Sequence, residues 1–417
     1  MHMRSRLPDK PITIKTPPFS THTRIHYKGN TMQHPFDPLI IRGKSLIPIV
    51  QGGMGVGISA SSLSSAVARE NGVGTIASVD LRHLHDDLLA ESKINPTEAK
   101  YDKLNRIALD REITKAKADS EGRGMIAVNV MKAVKDHQAL VRQACESGAD
   151  AIVMGAGLPL DLPEMAEGYP DIALLPILSE SRGINIVLKR WMKKGVLPDA
   201  IVIEHPAHAA GHLGAMTVDG VNDAKFEFKR VIEETFEVFK KLGLEGEKIP
   251  LVLAGGMANF QKIHTALKEW GASAVQIGTA FAVTHEGDAH INFKKTLAGA
   301  DTEQVVEFMS VAGLPARGNA RLDTEVRLSI RTAAVAPAYY FASRGMVLPA
   351  KQNGGLPVVT VNVPEVDIQF LRVRPDQLPR FLDRVISQAR APKPAPDSDA
   401  DEEGEEEEDY ENRRLSL

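Results

Sequence analysis

Apolar residues along this chain come in short runs of strand length, at Leu46–Gln51, Gly74–Val79, Met125–Val130, Ala151–Gly155, Ala173–Ser179, Ala200–His205, Ile249–Gly255 and Ala274–Gly278. Segments with helical spacing follow most of them, at Ser61–Asn71, Val134–Ser147, Gly183–Lys194, Lys225–Leu242 and Asn259–Trp270, the last closed by Gly271. Strands covered on both faces read as unbroken apolar runs, and Ala151-Ile-Val-Met154 does so. Eight strand-then-helix units predict an α/β fold, a parallel (β/α)8 TIM barrel. We place it at residues 37–310. The long charged stretch Asp80–Gly122 reads as a helical insertion between the second and third strands. Residues 311–390 form a satellite segment, with an apolar run at Pro357–Val363 and a helix at Asp376–Arg390, suited to a lid or a self-association surface. A homo-oligomer is therefore a candidate assembly.

Charge divides the 417 residues differently from hydropathy. The formal net charge is −4, but residues 391–417 hold 11 acidic and 3 basic side chains, and residues 1–36 hold 6 basic and 1 acidic. A basic N-terminal arm and an acidic, Pro-spaced tail thus flank a nearly neutral body. The tail has too little apolar surface to offset chain entropy, so disorder is expected there. Without a basic patch, nucleic acid is not an expected partner. The single cysteine, Cys145, excludes intrachain disulfides and cysteine metal clusters. With no bilayer-length apolar stretch and no apolar core after the N-terminal basic residues, neither a membrane span nor a signal peptide is expected. The composition reads as a soluble, cytoplasmic protein.

In such a barrel, chemistry sits on the loops after the strands. The seventh strand ends Ala254-Gly255-Gly256-Met257 and the eighth Gln276-Ile277-Gly278-Thr279. Two glycine-bearing turns on adjacent strands predict a phosphate cradle, because glycine lets backbone N–H groups approach an anion; the alternative is that both are only tight turns. After the first strand, Gln51-Gly52-Gly53-Met54 lacks a clear acidic partner about 20 residues on and is not a dinucleotide fingerprint. Gly52 and Gly53 could instead pass close to a flat ring, with Met54 against it. Asn129, at the end of the third strand, is a polar group in the same ring of positions.

The densest signal follows the sixth strand, at Glu204-His205-Pro206-Ala207-His208-Ala209-Ala210-Gly211-His212-Leu213-Gly214. Pro206 and Gly211 break any helix that would align the histidines, so no metal site is expected. A histidine titrating near neutrality suits acid–base work, the alternative being loop hydrogen bonding alone.

Pro48–Met54, Val128–Val130, His208–Gly214, Leu253–Met257, Gly271–Ala280 and Met309–Arg317 together resemble the nitronate monooxygenase family, formerly 2-nitropropane dioxygenases, over roughly residues 38–318. The related FMN-dependent enoyl-acyl-carrier-protein reductases share this resemblance. It implies FMN at the barrel mouth, with its phosphate on the seventh- and eighth-strand turns. It also implies His212 as the catalytic base, and Gly52, Gly53, Met54, Asn129, His205, Ala210, Gly211, Gly255, Gly256, Gln276, Ile277, Gly278 and Thr279 as cofactor-binding positions. The chain departs from the family pattern where His205 replaces a glutamine, His208 a glutamate and Ala210 a glycine. His208 falls on the substrate side by this comparison, and a histidine pair there favours an anionic substrate or an anionic reduced flavin.

The activity implied is oxidation of alkyl nitronates, or nitroalkanes, by dioxygen through the flavin. The alternatives are an NAD(P)H-dependent FMN reductase of enoyl thioesters and a low-turnover flavin-binding protein. A barrel dehydrogenase with a catalytic cysteine in the sixth-strand loop is excluded, since Cys145 follows the third strand. A flavin 2-hydroxy-acid oxidase is excluded by the missing Arg-His-Gly-Gly stretch.

Overall fold

The computed structural model describes residues 23–26, 31–34, 36–209, 214–215, 217–300 and four later strands, at 305–309, 315–319, 350–353 and 356–359. The chain divides into two units, residues 1–373 and 374–417, and every described residue lies in the first. Two antiparallel hairpins open it, β1 (Thr23–His26) with β2 (Thr31–His34) and β3 (Leu39–Ile41) with β4 (Lys44–Leu46). Eight strands follow: β5 (Ile49–Gln51), β6 (Val73–Ala77), β7 (Met125–Met131), β8 (Ala151–Gly155), β9 (Ala173–Leu178), β10 (Ile201–Glu204), β11 (Leu251–Ala254) and β12 (Ala274–Ile277). They form a closed parallel barrel in chain order, β12 pairing back onto β5 through Val275 with Ile49 and Gln276 with Val50. The predicted TIM barrel is the fold, and each of the eight predicted runs overlaps a barrel strand.

Alternate residues along each strand sort between two cores, as side-chain alternation on a closed sheet requires. Val50, Val73, Ala127, Val153, Leu175, Val202, Val252 and Ala274 pack inside the barrel. Ile126, Ile152, Leu174, Ile201, Ile203, Leu251, Leu253 and Val275 pack outward, under the helices. The outer layer comprises α1 (Ser61–Arg69), α2 (Asp86–Ser92), α3 (Glu98–Asp119), α4 (His137–Glu146), α5 (Leu162–Met165), α6 (Ser181–Met192), α7 (Phe228–Leu242), α8 (Phe260–His264), α9 (Thr279–Ala282) and α10 (Ile291–Ala298). Most of the longer helices are amphipathic. α7, for example, buries Phe228, Val231, Ile232, Thr235 and Phe239, and stops at Gly243, whose φ of 71° is left-handed.

Three boundaries differ from the sequence reading, each for a local reason. The run Leu46–Gln51 splits because Pro48 has no N–H to give a ladder; its carbonyl instead accepts from Val275 N at 3.1 Å. What precedes it is the β3–β4 hairpin, which carries Leu39, Ile41 and Leu46 into the inner core and stoppers the barrel's N-terminal end. Ion pairs hold the stopper down, Arg42 to Asp199 at 2.6 Å and Lys44 to Asp150 at 2.9 Å. The Asp80–Gly122 stretch contains the ordinary crossover helix of that position: α3 packs on α1 and α4, and buries Leu104, Ala108, Leu109, Ile113 and Ala116. The helical segment from Asn259 changes to a π-helical turn over Thr265–Glu269 after α8.

Beyond the barrel, β13 (Val305–Met309) pairs with β14 (Pro315–Asn319), and β15 (Ala350–Asn353) with β16 (Leu356–Val359). Part of the Pro357–Val363 run is thus strand; the helix expected at Asp376–Arg390 and the acidic tail lie outside the described residues. No helix among the described residues is long and apolar enough to cross a membrane.

Candidate active site

With one end stoppered, the barrel offers its C-terminal mouth. Inward-facing positions at the tops of the strands are Asn129 on β7, Gly155 on β8, Ile177 on β9, Glu204 on β10, Ala254 on β11 and Gln276 on β12. Glu204, Ala254 and Gln276 stand in register on three adjacent strands. The polar lining is therefore an amide on each side and a carboxyl between.

The loop leaving β5 runs across this lining. Gly52 N donates to Ile277 O at 2.9 Å, tying the first barrel strand to the last. A Cβ on Gly52 would meet the Gln276 side chain at 3.3 Å, and one on Gly53 would come within 2.8 Å of Asn129 Cγ. At Gly53 only glycine lets the backbone lie against the amide, whereas at Gly52 a side chain would require Gln276 to give by a few tenths of an ångström. Met54 follows, its sulfur 3.6 Å from the space a Cβ on Gly278 would take. Gly52, Gly53, Met54, Asn129, Gln276, Ile277 and Gly278 are thus one neighbourhood, assembled from three strand ends; Thr279 begins α9 and is exposed.

Beside it, Gly255 and Gly256 take φ values of 118° and 68°, conformations L-residues rarely adopt. They turn the chain from β11 toward α8, whose cap is Asn259, its Oδ1 accepting from Lys262 N at 2.9 Å. His208 covers this turn: its Cβ lies 3.0 Å from where a Cβ on Gly255 would stand, and its ring 3.5 Å from the equivalent atom on Gly256. The structure therefore puts His208 on the glycine turn that the sequence assigns to phosphate.

His205, just after β10, also borders this turn, its Cβ 3.5 Å from where a Cβ on Gly255 would stand, but its ring turns outward under α7. It is buried, packs edge-on to Phe228 with ring centroids 5.3 Å apart, and its Nδ1 accepts from Ala207 N at 3.2 Å. Burial and the neighbouring His208 ring, 4.8 Å away, lower its pKa, while Glu227 at 4.0 Å opposes them. Ala210, Gly211 and His212 lie outside the described residues.

Two residues that sequence reasoning gave no role do matter. Gln51 is fully buried, and its side chain grips the backbone of Thr75: Oε1 accepts from Thr75 N at 2.8 Å and Nε2 donates to Thr75 O at 3.1 Å. β5 and β6 share one register pair, Val50 with Val73, so this amide closes the barrel seam in place of ladder bonds. Glu204 is the second. Glu204 is half-buried at the mouth; desolvation by the barrel lining pushes its pKa up to about 7, and among the described residues its carboxyl has no hydrogen bond or ion pair. The alternation Ala200, Val202, Glu204 within a predicted strand was the available signal for it.

Glycines whose absent side chains would fill the mouth, backed by amides, fit a flat aromatic ring with an anionic tail on the neighbouring glycine turn. The sequence model of the nitronate monooxygenase family matches residues 41–352. A probable nitronate monooxygenase of Bacillus subtilis is 24% identical over 291 residues, 65% of this chain and 76% of that protein. Among solved structures, nitroalkane oxidase from Streptomyces ansochromogenes matches with a TM-score of 0.48 and 20% identity, over 72% of this chain and 82% of that one. A second sequence model, the bacterial alpha-2 macroglobulin MG2 domain, matches residues 340–400. An alpha-2-macroglobulin of Xylella fastidiosa is 49% identical over 73 residues, 18% of this chain and 4% of that protein, so this chain spans only a small part of such relatives. The larger match, which takes in the whole barrel and its mouth, decides the family: the chain belongs to the nitronate monooxygenase family of flavin-dependent oxidoreductases.

Proposed function

We propose that this barrel is an FMN enzyme that oxidises alkyl nitronates, with dioxygen as the terminal acceptor. The observation that carries this reading is the meeting of Gly52–Gly53 with Asn129 and Gln276 at one mouth, next to the positive-φ Gly255–Gly256 turn. Asn129 and Gln276 would hydrogen-bond the ring edge, and the N–H groups of the Gly255–Gly256 turn would hold a phosphate, with His208 beside it. When bound, the flavin supplies the two-electron chemistry that no side chain can. His212, from its place in the motif, is proposed to remove the proton alpha to a nitro group or to steady an oxygen of the substrate. That assignment rests on the sequence.

The test is reconstitution. Apoprotein is titrated with FMN, and separately with FAD, while protein fluorescence and retention of yellow colour through gel filtration are followed. Tight uptake of FMN supports the reading. A colourless protein that retains neither flavin rejects it, and preferential uptake of FAD rejects the cofactor assignment.

A further inference from the structure

Glu204 has the position of a working acid. It closes β10 at the open end of the barrel, and it faces inward, because Val202 below it belongs to the inner core while Ile201 and Ile203 belong to the outer one. Its register partner Ala254 and the next strand's Gln276 are neutral, as are Ile177 on β9 and Asn129 across the mouth. The titratable groups closest along the chain are His205, which turns outward onto Phe228, and His208, which lies over Gly255 and Gly256. No lysine or arginine among the described residues pairs with it. A carboxyl in that setting is costly to ionise, and burial raises its pKa to about 7.

We propose that Glu204 is a ligand-facing acid: protonated, it donates a hydrogen bond to an oxygen of a small planar anion in the barrel mouth, so that the anion enters together with a proton. The inference deepens the proposed function, since it rests on the mouth being the substrate site, and it names the substrate class as an oxygen-bearing anion of nitronate type. One proton from solvent joins the carboxylate, no other bond changes, and the pair carries one negative charge instead of two. An anion beside the ionised carboxylate would face like-charge repulsion at short range. Above the carboxyl's pKa, the competent fraction of the protein then falls, and affinity for the anion falls roughly tenfold per pH unit.

The experiment uses the full-length, FMN-loaded protein. Infrared difference spectra across pH first ask for a protonated-carboxyl C=O band that disappears near pH 7. It is expected in the wild type, absent in Glu204→Gln and retained at a shifted pH in Glu204→Asp. Calorimetry with inorganic nitrate, in two buffers of different ionisation heat, then measures protons taken up on binding at pH 8. Uptake is expected in the wild type and none in Glu204→Gln, whose nitrate affinity should be flat with pH over this range. A band unaffected by Glu204→Gln overturns the proposal, as does equal uptake in both proteins, release of protons on binding, or failure of nitrate to bind below pH 7. If nitronate fails to react with the flavin while the band and the linked uptake persist, the proposed reaction is rejected and the acid stands.

Discussion

Asn129 and Gly53 meet as side chain against backbone: any Cβ at position 53 would come within 2.8 Å of Asn129 Cγ. The contact joins the end of β7 to the loop leaving β5 and sets how near that loop can approach the mouth. Gly53→Ala should therefore force one of the two away. We expect a loss of about 1–3 kcal/mol from overpacking and at least a tenfold weakening of FMN retention. Asn129→Gly in the same chain removes the Cβ that a methyl at position 53 meets first, and should recover part of the stability but not the flavin affinity. Thermal melts and FMN titration of the two single variants and the double variant measure the coupling.

Gln51 makes a different prediction, on stability rather than chemistry. Gln51→Leu keeps the volume but leaves Thr75 N–H and C=O buried without their partner. At about 1–3 kcal/mol per orphaned group, urea midpoints should fall clearly. Gln51→Glu keeps the acceptor for Thr75 N but sets a fully buried carboxyl oxygen against Thr75 O and Gly52 O, and at neutral pH should be at least as destabilising.

The glycine turn after β11 predicts a cofactor effect with a backbone origin. Gly256→Ala places a side chain at φ 68°, a left-handed strain of about 1–2 kcal/mol, and pushes a methyl toward the His208 ring. FMN should bind at least tenfold more weakly, whereas riboflavin, which lacks the phosphate, should lose little. Equal losses for both ligands would move the phosphate elsewhere.

Acid stability should carry the signature of Glu112, at the back of α1. Burial works to raise its pKa, but His85 at 3.1 Å and Ser61 N–H at 2.8 Å outweigh it and hold the carboxyl below its ordinary value of 4.5. A folded-state pKa depressed in this way contributes stability above pH 4.5 and loses it as pH falls through the lower folded value. Glu112→Gln should be less stable at neutral pH and should flatten that acid limb. Urea unfolding at several pH values between 3 and 7 checks both statements.

The barrel was legible in the sequence because its strands are buried on both faces. Ala151–Met154 and Leu251–Ala254 admit only apolar side chains, and Gly243 marks the stop of α7. The stopper was not: Leu39–Leu46 is too short for periodicity to separate from the strand that follows, and only tertiary packing shows that its leucines point into the barrel. Composition divides the C-terminal part at residue 390, into a satellite segment over 311–390 and an acidic tail over 391–417; the match to the second sequence model, at 340–400, crosses that boundary and overlaps the first match, which ends at 352. In the site, glycines and Asn129 could be found because strand ends carry chemistry in this architecture. His205 could not be oriented from its motif, since one residue's difference in strand parity decides whether a side chain faces the mouth or α7. Glu204 was hidden by the histidines around it.

The central claim is a nitronate-specific flavin chemistry at this mouth, and anaerobic stopped-flow absorbance of the FMN-loaded protein tests it most directly. Mixing with ethylnitronate should bleach the flavin band in a single fast phase, with NADPH alone leaving it intact and His212→Asn slowing the reaction of neutral nitroethane far more than that of the nitronate. Bleaching by NADPH, with nitronate inert, would contradict the account and make the protein a pyridine-nucleotide-dependent reductase.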